Sequence, residues 1–389
     1  MAETNGGLDE LSGAAPAPAK AESRDLKDIE KLFVACARNK ASDLHLKPGQ
    51  RVIFRVNTIL HEVGTRVLTP EDTKRLIYEI MSPPQRQRFE EEKDLDFAYS
   101  VEGIGRYRIN VFLDRGTVAV AARRVNTEIP SFEQLHLPEG VRKVSGFNQG
   151  MVIVAGPTGS GKSTTLACLL DYVNQTERCH IVTIEDPIEY LFQDKKSFFN
   201  QREIGIDVDS FPKALKHVVR QDPDVILVGE MRDVESFDAG LIASETGHLV
   251  FGTIHASSAA QCIGRLLDLF PTERQPLIRQ SLAFNLKAII CQKLLPSCRE
   301  GVKMVPAIEI MLTNSTIQKL IQSGEDKKIQ DVIRGGEEEG MQDFNQSIVK
   351  LINAGLVSKK VGMAYSPNPE QLKMNLQGIF LGEDRKILG

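Results

Sequence analysis

Met151-Val152-Ile153-Val154-Ala155 runs directly into Gly156-Pro157-Thr158-Gly159-Ser160-Gly161-Lys162-Ser163-Thr164, and this junction decides the fold. A short apolar run reads as a buried strand, and the nine residues after it match GxxxxGK[ST] in full, with a helix expected from Ser163. The chemistry explains the residue types. Glycines let the backbone turn its N–H groups inward onto phosphate oxygens, and the helix that follows offers its positive end to the same phosphates. Lys162 can reach the β- and γ-phosphates, and the Ser163 hydroxyl can bind Mg2+.

Working outward, residues 180–184, 225–228 and 249–253 are further continuous apolar runs. They alternate with helical stretches at 211–220, 234–245 and 259–269, which implies an α/β domain with a parallel sheet covered on both faces. From Glu273 the chain reads as mostly helical, with Leu282, Leu286, Ile289 and Ile290 as one apolar stripe. Upstream the period differs. Leu26, Ile29, Leu32, Phe33 and Cys36 recur at helical spacing, and Thr69-Pro70-Glu71-Asp72 is a helix start. Residues 43–46, 51–56, 96–99, 106–113 and 117–125 alternate as strands, with turns at Asn57-Thr58 and Asp114-Arg115-Gly116. The expected organisation is a disordered tail at 1–24, a small α+β domain at 25–125, a connector at 126–149 and a P-loop domain at 150–389.

Composition narrows the function. Forty-eight Lys and Arg against 52 Asp and Glu give a net charge of −4, so no nucleic-acid partner is expected. No apolar run approaches the ~18–20 residues that span a bilayer. The N-terminus lacks the apolar region of a secretory signal, which points to a cytoplasmic protein. Cys36, Cys168, Cys179, Cys262, Cys291 and Cys298 form no CxxC pair and read as buried, reduced thiols.

Two acidic strand ends accompany the phosphate loop. Val225 to Val228, then Gly229-Glu230, resembles a Walker B strand, which sets a carboxylate beside the loop where it can hold Mg2+. Val182-Thr183-Ile184-Glu185-Asp186-Pro187-Ile188-Glu189 crowds acids after a second strand, and one of them can orient or deprotonate water. His248 and His255 flank the run at 249–253, too far apart for a shared metal; at least one is a candidate phosphate sensor. Arg106, Arg108 and Arg115 are candidates for charge supplied across a subunit boundary.

Together, GPTGSGKST, VTIEDPIEY, RQDPDVILVGEMRD and ETGHLVFGTIHAS, with ASDLHL and GRYRINVFLDRG upstream, resemble the type II/IV secretion and pilus motor ATPases, and most closely the twitching-motility retraction branch. The resemblance implies a hexamer of two-domain subunits, a PAS-like N-terminal domain, a RecA-like ATPase domain with a helical C-terminal part, and ATP with Mg2+. It makes Glu185 the general base, Glu230 the Mg2+-linked acid and His248 with His255 the family's His-box pair. It places the segment of Arg106, Arg108 and Arg115 near nucleotide. It also implies work at the inner-membrane face with a platform protein.

One departure stands out. The retraction branch carries AIRNLIRE near its C-terminus; here the matching stretch is Thr316-Ile317-Gln318-Lys319-Leu320-Ile321-Gln322-Ser323, with Gln318 and Gln322 at the arginine positions. That leaves open an accessory subunit working beside a second retraction ATPase, or a related secretion ATPase.

Overall fold

The computed structural model describes residues 26–378, so the expected tail at 1–24 lies outside the described residues. The chain divides into two compact units, Met1–Arg124 and Val125–Gly389.

The first unit is an antiparallel sheet with helices. Its strands are β1 (Asp43–Leu46), β2 (Val52–Val56), β3 (Ile59–Val63), β4 (Asp94–Val101), β5 (Gly105–Asp114) and β6 (Thr117–Arg124), in the order β3-β2-β1-β6-β5-β4. Asn57 and Thr58 join β2 to β3 with both φ angles positive, and Arg115 and Gly116 do the same between β5 and β6. Paired left-handed residues match the twist of a two-residue hairpin. The helices are α1 (Asp28–Arg38), α2 (Pro70–Tyr78) and α3 (Pro83–Glu92). Thr69 caps α2: its Oγ1 accepts from Asp72 N at 3.2 Å, and Asp72 Oδ2 accepts from Thr69 N at 3.0 Å. Tyr107 of β5 is fully buried, stacks on Phe33 of α1 and donates to Phe33 O at 2.7 Å.

The second unit is a seven-stranded sheet. Its strands are β7 (Gly150–Ala155), β8 (His180–Glu185), β9 (Phe198–Glu203), β10 (Val225–Val228), β11 (Leu249–Ile254), β12 (Leu286–Pro296) and β13 (Met304–Leu312), in the order β13-β12-β7-β11-β10-β8-β9. All neighbours run parallel except β12 and β13. Its helices are α4 (Glu139–Lys143), α5 (Lys162–Thr176), α6 (Phe211–Val218), α7 (Val234–Glu245), α8 (Ala259–Asp268), α9 (Gln275–Asn285), α10 (Ser315–Ser323), α11 (Ile329–Gly335), α12 (Phe344–Asn353), α13 (Lys359–Tyr365) and α14 (Pro369–Asn375). Two apolar cores cover the two faces: Ile153, Val182, Ile226 and Ile289 point into one, and Val152, Val154, Leu227 and Ile290 into the other. Residues 126–149 carry Phe132, Val141 and Val144 into the second of these cores, so this segment packs as part of the unit.

Three expectations are corrected. The stripe Leu282, Leu286, Ile289 and Ile290 is not one helix: α9 ends at Asn285 and β12 begins at Leu286. A fully buried strand has no alternation, so spacing alone cannot separate it from a buried helix. The β-branched pair at 289–290 carries the strand signal. The sheet is therefore mixed, with β13 as an antiparallel edge. Lastly, the thiols are not uniformly buried, since Cys298 is exposed and Cys179 half-buried.

Ile289 and Ile290 sit on opposite faces of one strand, with different neighbours. Ile289→Val and Ile290→Val should each cost about 0.5–1.5 kcal/mol of stability. In the double variant the losses should add to within about 0.5 kcal/mol by chemical denaturation. A strongly non-additive double variant would point back to a shared stripe.

Candidate active site

The site forms at the C-terminal edge of the parallel strands, where open α/β sheets bind ligands. β7 is buried along its whole length and delivers the chain to Gly156 at that edge. Gly156, Gly159 and Gly161 all have positive φ, and α5 starts at Lys162. A Cβ on Gly156 would fall 2.5 Å from Gln292 O and from Ser160 Oγ, and one on Gly161 would fall 2.8 Å from Gln292 Nε2. The loop is thus closed to side chains at both ends. Lys162 Nζ donates to Gly156 O at 2.9 Å and Pro157 O at 3.2 Å. Burial lowers its pKa from the ordinary lysine value, opposed by the carboxylates of Glu230 and Glu189.

The two acids arrive on neighbouring strands in different surroundings. Glu185 ends β8 and is buried; its Oε1 accepts from Thr183 Oγ1 at 2.6 Å and from Gln201 Nε2 at 3.2 Å. Desolvation pushes its pKa up to about 7, although the two donors pull the other way. Glu230 follows β10 and is half-buried. Its Oε1 pairs with Arg232 Nε and lies 3.1 Å from His255 Nε2. The turns that carry the acids touch through Gly229, whose N–H donates to Ile184 O at 2.8 Å and whose carbonyl accepts from Thr253 Oγ1 at 2.5 Å.

A cleft of about 570 Å³ joins these groups, lined by Thr158 to Thr164, Glu185, Glu230, His255, Arg232 and Tyr190 among others. The structure therefore gathers the phosphate loop, both acids and His255. It does not bring in His248. β11 runs parallel to β7 with Leu249 opposite Gly150 and Ile254 opposite Ala155, so His255 is level with the start of the loop and His248 is at the far end. There His248 Nδ1 lies 2.9 Å from Ala243 O. Arg106 and Arg108 flank the buried Tyr107 on β5, and Arg115 forms the β5–β6 turn. All three belong to the first unit, whereas the cleft is built from the second.

Sequence reading missed Gln201, Tyr190 and Gln292. Tyr190 OH lies 2.9 Å from Thr164 Oγ1. Gln292 is 3% exposed and bonds both loop and helix. Tyr190 stood inside a quoted acidic segment, VTIEDPIEY, but Gln201 and Gln292 lay on strands that the apolar pattern did not reveal.

A phosphate loop and two strand-end acids around one cleft define a P-loop ATPase. A family model described as "Type II/IV secretion system protein" matches residues 20–358. The Pseudomonas aeruginosa "Type IV pilus retractation ATPase PilT" is 40% identical over 343 residues, 88% of this chain and 99% of that one. The "Type IV pilus ATPase PilU" of the same organism is 37% identical over 350 residues, 90% of this chain and 91% of the other. A crystal structure of the pilus retraction motor PilT with bound ADP superimposes with a TM-score of 0.81 at 43% identity, covering 90% of this chain and 99% of that chain. The chain belongs to the type II/IV secretion ATPase family, in its PilT-type retraction branch.

Glu185 sets a pH test that is independent of any catalytic role. Its folded pKa of about 7 lies above the ordinary glutamate value. Its contribution to stability is therefore fully present below about pH 4.3 and is lost as pH rises through 7. Glu185→Gln keeps the acceptor for Thr183 and Gln201 but has no charge to bury. It should be more stable than wild type at pH 8, by at most on the order of 3 kcal/mol, with the difference closing towards pH 5. Thermal melts across that range check it; a pH-independent difference would mean that Glu185 ionises normally.

Proposed function

We propose that the chain is a motor for pilus retraction: a ring of six subunits at the cytoplasmic face of the inner membrane, hydrolysing ATP to act on a platform protein. The observation that carries the reading is the convergence of the phosphate loop, Glu185 and the Glu230–His255 pair on one cleft. The first unit, an antiparallel sheet with β1 and the last strand β6 side by side, supports a PAS-like assignment; the second supports a RecA-like one.

Loop N–H groups and the start of α5 receive the phosphates, and Lys162 exchanges its loop carbonyls for phosphate oxygens. Glu185 is the general base for the attacking water. A pKa of about 7 suits proton transfer near neutrality, and Thr183 with Gln201 fixes the carboxylate. Ser163 and Glu230 line the same cleft, and a hydroxyl with one carboxylate fits Mg2+, which keeps most of its other positions for water and phosphate. Held there by Ser163 and Glu230, Mg2+ would supply neutralisation of the negative charge on the phosphates. His255, held against Glu230, senses the phosphate. One of Arg106, Arg108 and Arg115 reaches a neighbouring subunit's nucleotide. The purified protein therefore turns over ATP without DNA. In Glu185→Ala, kcat should fall with nucleotide binding largely kept, whereas Glu230→Ala should shift the Mg2+ dependence. Identical Mg2+ titrations would show the roles to be misassigned.

Helix α10 bears on partner choice. On α10, Ile317 and Ile321 are fully buried, Gln318 is half-buried and Gln322 exposed. Neutral amides there cost little in folding, since exposed ion pairs contribute only ~0–1 kcal/mol. They remove charge that steers a partner. In a cell stripped of other retraction ATPases, this chain should retract pili weakly, and Gln318→Arg with Gln322→Arg should raise retraction. Full twitching that is indifferent to both substitutions would refute the accessory reading, in which this chain works beside a second retraction ATPase.

A further inference from the structure

Gln292 joins the phosphate loop to the helix after it. β12 makes its last pair with β7 at Cys291 and Ala155, so Gln292 is level with Gly156. Its Nε2 donates to Ser160 O at 2.7 Å, and its Oε1 accepts from Thr165 Oγ1 at 2.8 Å. Ser160, Thr165 and Gln292 are all buried. The amide has one orientation here, because the flipped form would set its oxygen against the Ser160 carbonyl. The Ser160–Gly161 peptide is planar and trans, so its C=O and N–H point in opposite directions. Holding Ser160 O against β12 therefore turns the Gly161 N–H away from β12, and Gly161 lines the cleft. Gln292 also stands where a Cβ on Gly156 or Gly161 would fall, so the strand sets the loop's shape from behind.

We propose that Gln292 is a positioning residue for phosphate recognition: through Ser160 O and Thr165 Oγ1 it holds the loop in the conformation that receives the β-phosphate of a nucleotide. The inference rests on the nucleotide reading above. Gln292→Met keeps the length and removes both hydrogen bonds without adding charge. Calorimetry on the full chain with ADP and with AMP, which ends before the β-phosphate, separates positioning from general damage. The ratio of ADP to AMP affinity should fall about tenfold in Gln292→Met and about threefold in Thr165→Val, which removes only the helix anchor. A purely structural role would lower the melting temperature and leave the ratio at its wild-type value, and that result overturns the proposal. Should Gln292→Met fail to fold, the same ratio in Thr165→Val decides. Wild-type protein that binds no ADP would overturn the nucleotide reading itself.

Discussion

A phosphate loop can turn its N–H groups inward only where no Cβ obstructs it, and the second unit is organised around that constraint. β7 is buried on both faces, so the loop leaves from a fixed point. β12 presses against Gly156 and Gly161 from one side, and β11 brings His255 up on the other. The glycines answer two demands at once: positive φ, and space claimed by a neighbouring strand.

The second organising contrast is between two carboxylates of the same residue type. Glu185 is sealed at the end of β8, where burial pushes its pKa up to about 7, whereas Glu230 meets Arg232 and His255 at the cleft. Gly229 makes the arrangement possible: a Cβ there would lie 3.1 Å from Ile184 O and 3.2 Å from Glu185 Cα, so a larger residue would force the two turns apart.

The first unit follows a different logic. Alternation along β5 sinks Tyr107 into the core and sets Arg106 and Arg108 on the opposite face, with Arg108 opposite Arg123 of β6 and Asp43 of β1 next along the same row. Arg123 Nε donates to Asp43 Oδ1 at 2.8 Å. An arginine-rich face built on paired strands is stiffer than one on a loop.

Much of this was legible in the sequence because the signals are local. The glycine loop, the cap at Thr69, the hairpin residues at 57–58 and 115–116, and the acids at strand ends depend on backbone chemistry within a few residues. What failed was where locality fails. β12 and β13 were hidden because burial on both faces erases alternation, and β9 because its exposed and buried residues do not form an apolar run. His248 and His255 look equivalent in sequence, and only the parallel register of β11 on β7 separates them by the length of a strand. Gln292 lies 127 residues from Thr165 and 132 from Ser160. The sequence by itself determined which residues could do phosphate chemistry, since spacing around the loop carries that information. Only the tertiary structure decided which of them meet, because strand order and register are settled by packing between segments far apart in the chain.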